Sequence, residues 1–177
     1  NIGMGAGNNL GISKSKTQYV YILNPDVLLN KDTFLNINRS ITNLENFAIL
    51  SPISDNLNYP NYRINKNNEL IEDNIIKNVE EIDGYSMIIN KNYFSDNIFF
   101  DEKIFMYLEN VDLCLRAKKM DGKLFIIKSS KVHHLGAQAV DDKYSREVEL
   151  SRNWHWMWSK FYFNKKHRGS FISISLA

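Results

Sequence analysis

Three features of this chain combine residue types and spacing suited to chemistry: a carboxylate just past a proline, acids at helical spacing, and a histidine two residues before a glycine. The first is Tyr19-Val-Tyr-Ile-Leu-Asn-Pro-Asp26, an apolar run that ends on Asp26. Residues Tyr19 to Leu23 are the β-branched, aromatic and aliphatic types of a strand covered on both faces, as in parallel sheets. Pro25 offers no N–H to a ladder and holds Asn24 extended, so Asp26 is expected on a loop at the strand's carboxyl end. Open α/β sheets bind ligands at that edge. The alternative is an ordinary Asn-Pro-Asp turn, since all three are turn residues.

The second feature is Glu109-Asn-Val-Asp-Leu-Cys-Leu-Arg116. At about 100° per residue, Glu109, Asp112 and Arg116 share one helix face, and Leu108, Val111, Cys114 and Leu115 form the stripe expected to be buried. A carboxylate so placed could deprotonate an attacking hydroxyl, help worth ~10²–10⁴-fold in rate. The alternative is an acidic first turn that suits the helix dipole, with Asp112 and Arg116 as an i, i+4 pair. Cys114 lies on the apolar stripe and reads as core. The third feature is Val132-His-His-Leu-Gly136, where adjacent histidines on a strand face opposite ways and at most one reaches a given site.

Around these features the chain has an ordinary globular composition, with 177 residues, 44% hydrophobic, 24% charged and a formal net charge of +2. That fits one domain and argues against a nucleic-acid binder, because no basic stripe extends beyond Lys165-Lys-His-Arg168. The single cysteine excludes an internal disulfide and a multi-thiolate metal site, and suggests a reducing compartment. No apolar run reaches the ~18 residues of a spanning helix.

The positioning elements follow in order. Gly3, Gly5 and Gly7 alternate through an expected turn before Asn8 and Asn9, with a short helix over 9–16 whose free N–H groups would suit a diphosphate. Phe34, Ile37 and Ile41 predict a scaffold helix over 31–43 facing the sheet. Phe47 to Leu50 predicts a core strand ending at Ser51-Pro52. Residues 55–78, crowded with Asn and charge, are expected to form a mobile excursion with a short hairpin. A strand over 79–89 carries Gly84 in its middle, the mark of a bulge or close approach. A short helix over 91–97 and a strand over 123–127 running toward Val132 complete the domain. Residues 144–166 predict one long helix with Leu150, Trp154, Trp158 and Phe161 along a core stripe, although the surplus aromatics and following cations also suit an anionic membrane surface.

The glycine-rich segment with Asn24-Pro-Asp26, the Glu109 to Arg116 run, the Val-x-His-x-Gly pattern ending at Gly136 and the Trp-rich tail together resemble family 2 type nucleotide-sugar glycosyltransferases, in particular the rhamnosyltransferase-like branch. The resemblance implies a GT-A type α/β domain over 1–143 with a mostly parallel central sheet, followed by a C-terminal helix and tail over 144–177. Both ends read as cut, so a fragment lacking the first strands of the nucleotide-binding half, inactive alone, is expected.

The function implied is inverting transfer of a hexosyl or rhamnosyl group to a glycan or lipid-linked acceptor in cell-wall polysaccharide synthesis, in the cytoplasm at the inner membrane face. Gly3, Gly5, Gly7, Asn8, Asn9, Asn24 and Asp26 would contact the donor, and Gly84, Tyr107 and Arg116 the acceptor. Asp26 and His134 would hold a metal, with carboxylate suiting Mg²⁺ or Mn²⁺ and imidazole acceptable to Mn²⁺. Glu109 would be the base and Asp112 its support. The family's usual acid at the second position is here Asn110, and Tyr85 stands where a small residue is common. A non-catalytic nucleotide-sugar binding module and a sugar nucleotidyltransferase are the rival readings.

Overall fold

The computed structural model describes residues 2–44, 46–64, 76–94, 98–136 and 144–175. Its strongest apolar runs fold as the middle strands of a six-stranded sheet. These are β3 (Phe47–Ser54), β7 (Ser86–Asn90) and β8 (Lys123–His134). The order is β1-β7-β3-β8-β2, with β1 at Tyr19–Leu23 and β2 at Val27–Leu29. The long β8 also carries β5 (Ile76–Asn78) along its first half, while β2 lies along its last residues. A two-stranded ribbon pairs β4 (Tyr62–Arg63) with β6 (Glu81–Ile82).

Side chains alternate across the sheet and build a core on each face. Met87, Ile89, Leu124 and Ile126 pack with Ile12, Phe94, Phe100 and the helix residues Leu113, Cys114 and Ala117. Ile88 and Ile127 point the other way, against Ile37 and, at the margin, Ile41. The helices supplying these layers are α1 (Met4–Lys14), α2 (Thr33–Asn43) and α3 (Glu109–Lys119). A 24-residue helix, α4 (Ser145–Arg168), and the short α5 (Ser170–Ser175) close the chain.

Several expectations are corrected. The sheet is mixed and mostly antiparallel: only β3 and β8 run parallel, while β1–β7, β3–β7, β2–β8 and β5–β8 are antiparallel. An unbroken apolar run reports burial on both faces and carries no information on a neighbour's direction. Strand β1 is not covered on both faces; only Ile22 is buried, and Leu23 is exposed. Strand β3 continues through Pro52, beside a register shift against β8 where a missing donor is tolerated. Gly84 sits in the turn between β6 and β7, not inside a strand. Helix α1 starts at Met4, so Gly5 and Gly7 are helical. Phe34 is exposed while Ile37 faces the sheet. A 3₁₀ turn at Lys91–Tyr93 replaces the short helix expected over 91–97, of which 95–97 lie outside the described residues. The excursion's β4 and β5 pair with β6 and β8 and not with each other, and 65–75 lie outside the described residues.

Candidate active site

Asn24-Pro25-Asp26-Val27 is a β-turn closed by the Val27 N–H donating to the Asn24 carbonyl at 3.2 Å, with proline at its second position as the geometry favours. The segment is thus the turn that the alternative reading expected, and Asp26 sits within it. Strand β2 follows directly and pairs Val27 with His134, and the Leu135 N–H donates to the Asp26 carbonyl at 2.9 Å. This register sets His134 Nε2 3.2 Å from Asp26 Oδ2. Asp26 Oδ1 is buried and has no partner among the described residues. His133 points away, as alternation requires, and pairs with Asp55 at 2.9 Å.

The turn 83–85 joins this pair to the second carboxylate. The Asn24 N–H donates to the Tyr85 carbonyl at 3.0 Å, and the Tyr85 ring stacks on His134 with centroids 4.1 Å apart. Burial pushes the Tyr85 hydroxyl up to about 12. One residue back, a Cβ at Gly84 would lie 3.4 Å from Glu109 Oε1 and 3.3 Å from both Asn110 Cβ and Met4 Cε. Glu109 thus sits directly behind Gly84. Its Oε2 is buried without a partner among the described residues, and burial raises its pKa against a weaker lowering by its own backbone N–H. Asp83, also in the turn, is raised by burial and then by Glu81, partly offset by Arg63 and His134. Asp83, Tyr85, His134, Arg63 and Tyr59 line a cleft of about 530 Å³.

Glu109 is aimed by unusual backbone. Tyr107 and Leu108 both take left-handed φ, 68° and 66°, a conformation costing side-chain-bearing residues about 1–3 kcal/mol each. The surroundings hold them: His155 stacks on Phe105 at 4.3 Å, Ser159 Oγ donates to the Met106 carbonyl at 2.6 Å, and Trp156 meets the Tyr107 ring edge-on at 5.7 Å. Asn110 Nδ2 donates to the Ile82 carbonyl at 2.9 Å, tying the helix start to β6.

Asp112 and Arg116 belong elsewhere. Asp112 is fully buried and bonded to Arg116 Nε at 2.9 Å, Lys166 Nζ at 2.7 Å and His167 Nε2 at 2.7 Å. Burial alone would raise its pKa, but hydrogen bonds from Lys166, Arg116 and His167 outweigh it, and the net direction is down. Arg116 also donates to the carbonyls of Ile98 and Phe99. The expected shared face of Glu109, Asp112 and Arg116 is thereby split: Glu109 opens toward Gly84, while the other two fasten α3 to α4. The error lay in equating polar with outward; Glu109 and Asp112 are buried, together with Leu113, Cys114 and Ala117.

The glycine-rich segment is also reassigned. Gly3, at φ 88°, turns the chain into α1 against Phe105, and the Met4 N–H is taken by the Phe105 carbonyl at 3.0 Å. Gly5 packs on Phe100, and Gly7 has open space around it. Asn9 staples the Phe100 backbone through both side-chain atoms, at 2.9 Å each. Asn8 differs. It lies one helical turn after Met4, hence on the face toward Gly84, and its Nδ2 is buried without a partner among the described residues.

Asp83 and Arg63 escaped the sequence reading. An acid immediately before the glycine of a strand–turn–strand was the available signal for Asp83; Arg63, in an Asn-rich excursion, offered none.

The chain is similar to a known protein over part of its length. It is 28% identical over 138 residues to the low-salt glycan biosynthesis hexosyltransferase Agl10 of Haloferax volcanii, covering 67% of this chain. The similarity is to a glycosyltransferase. The chain spans 44% of that relative's length. No family model matches the chain. Two solved structures overlap part of the fold. The A197 protein from STIV does so at 10% identity and TM-score 0.48, over 75% of this chain and 63% of that one. The inositol-1-phosphate CTP transferase from T. maritima does so at 13% identity and TM-score 0.47, over 84% and 62%. With both scores below one half, neither bears on function.

Proposed function

We propose that this chain is part of a glycosyltransferase that moves a sugar from a nucleotide-sugar to a glycan or lipid-linked glycan acceptor, with inversion at the anomeric carbon. The observation that carries this reading is the 83–85 turn, whose Tyr85 stacks on His134 of the Asp26–His134 pair and whose Gly84 lies against Glu109. The similarity to a hexosyltransferase supports it.

In this mechanism the acceptor hydroxyl attacks the anomeric carbon as the bond to the leaving diphosphate breaks, and Glu109 takes the hydroxyl proton. Its raised pKa makes it a stronger base than an ordinary carboxylate. Asn8 Nδ2 is a free donor for an oxygen of the nucleotide-sugar. Tyr85 and Asp83 wall the cleft beside His134.

The residues fit a divalent ion, Mn²⁺ or Mg²⁺. Asp26 Oδ1 is an orphaned buried oxygen, and two groups on one octahedral ion lie about 3 Å apart, near the Asp26–His134 separation. Among the described residues no group of three or more His, Cys, Asp or Glu could hold an ion, so substrate phosphates would have to supply further ligands. When bound, it would offset charge on the departing diphosphate.

Incubating the full-length protein with nucleotide-sugars and divalent ion tests the reading. Release of nucleoside diphosphate with free or transferred sugar is expected. Pyrophosphate release from a nucleoside triphosphate and a sugar phosphate would replace it with the nucleotidyltransferase, and donor binding without turnover with the binding module.

A further inference from the structure

Helix α4 is mounted with its apolar stripe outward. Leu150, Trp154, Met157 and Trp158 recur at i, i+4, i+7 and i+8, the spacing of a core face, yet they are 61%, 67%, 62% and 45% exposed. The side turned to the domain mixes polar groups with the buried Phe163. Ser159 donates to Met106, Tyr162 to Asp101 at 3.0 Å, and Lys166 and His167 to Asp112. Each inward polar group thus has a fixed partner; among the outward apolar ones Trp158 is also held, its Nε1 donating to the Lys103 carbonyl at 3.2 Å and its ring stacking on Tyr162. The stripe continues toward the C-terminus with Lys165 and Arg168, eleven and fourteen residues after Trp154. From Ser151 to the last residue the sequence has no Asp or Glu, while Arg152, Lys160, Lys165, Lys166 and Arg168 are basic. Helix α5 adds exposed Phe171 and Ile174.

We infer that the outward face of α4 docks on an anionic membrane surface. The charge pattern selects this occupant. A parallel two-fold contact between copies of the chain would set these cations against each other. Anionic headgroups complement the cations, Trp rings suit the headgroup level, and Lys and Arg reach phosphates while their stems cover apolar surface. No described helix is long and apolar enough to cross a membrane, so the contact is peripheral. The inference holds whatever reaction the site performs.

Vesicle flotation with the purified full-length protein tests it, using phosphatidylcholine vesicles with and without about one-third phosphatidylglycerol. Flotation with the anionic vesicles and a blue shift of Trp emission are expected, both weakened by salt. Leu150→Ser/Trp154→Ser/Met157→Ser should abolish flotation with unchanged circular dichroism. Lys165→Ala and Arg168→Ala, exposed changes that spare the packing, should each weaken binding by about fivefold. These variants keep the test open if the triple variant fails to fold. Absence of flotation, equal binding to neutral vesicles, or a concentration-dependent dimer lost on Trp154→Ser would each overturn the proposal.

Discussion

Glu109 and Asn110 both lie against Gly84, but Asn110 is bonded to the Ile82 carbonyl and Glu109 Oε2 has no partner among the described residues, so their substitutions separate chemistry from support. Glu109→Gln should lower the chemical step by ~10²-fold or more with donor affinity little changed, because the amide is nearly isosteric but cannot take a proton. Single-turnover rates and donor titration check both halves. Asn110→Asp replaces the donor to the Ile82 carbonyl with an acceptor, so it should cost about 1–3 kcal/mol of stability without any gain in transfer. A gain in rate would move the base to position 110. Asp26→Asn should remove divalent-ion dependence and leave thermal unfolding unchanged, because its side chain meets only His134 in the described site. An EDTA titration of transfer activity, read against the melting curve, decides this.

Between elements, the joint that matters is α3 to α4. Asp112 holds Arg116, Lys166 and His167 at once, and Lys166 also bonds Asp101 at 2.7 Å. Removing one member leaves buried charge uncompensated. Asp112→Ala should cost about 3–5 kcal/mol, read as a shift in urea midpoint. Gly122, which turns α3 into β8, admits no side chain: a Cβ there would lie 2.7 Å from the Ala117 carbonyl and 2.8 Å from Ala48 Cβ. Gly122→Ala should cost about 1–3 kcal/mol by overpacking. Much at this scale was legible. A helix through Glu109 to Arg116, the long C-terminal helix and the buried Cys114 follow from period and residue type. Which face of α3 or α4 turns inward did not, because buried ion clusters reverse the rule that polar residues face water. Only contacts from distant segments, such as Lys166 to Asp112, show where that reversal occurs.

For the molecule as a whole, two groups of carboxyls set opposite pH trends. Asp101 and Asp112 have pKa values below the ordinary 3.8. Burial opposes that shift in both, and hydrogen bonds led by Lys166 outweigh it. Their stabilisation is complete above their unfolded values and is lost as pH falls through the lower folded ones. Burial raises Glu109 and Asp83 instead, so the folded state gains stability as pH falls from neutrality through their folded values. Urea midpoints should therefore rise slightly on the acid side of neutrality and collapse below about pH 4. Lys166→Met should flatten the collapse. The architecture itself was only half legible. The α/β composition follows from the alternation of apolar runs and helical periods. Strand direction does not, being settled by pairings such as Val27 with His134 that span most of the chain.

That same long-range register dictates when the site can exist. Asp26 lies near the start of the chain and its partner His134 more than a hundred residues later, and β1, β3 and β2 all wait for β7 or β8 to find their neighbours. A nascent chain on the ribosome thus carries its aspartate long before anything can hold it. The open edges of β1 and β3 must be protected until the last strand emerges. Loop closure over such distances is slow, so refolding is expected in milliseconds to seconds, with the Asp26–His134 contact forming in the final phase. Stopped-flow tryptophan fluorescence, compared with recovery of divalent-ion binding, would time the two events separately.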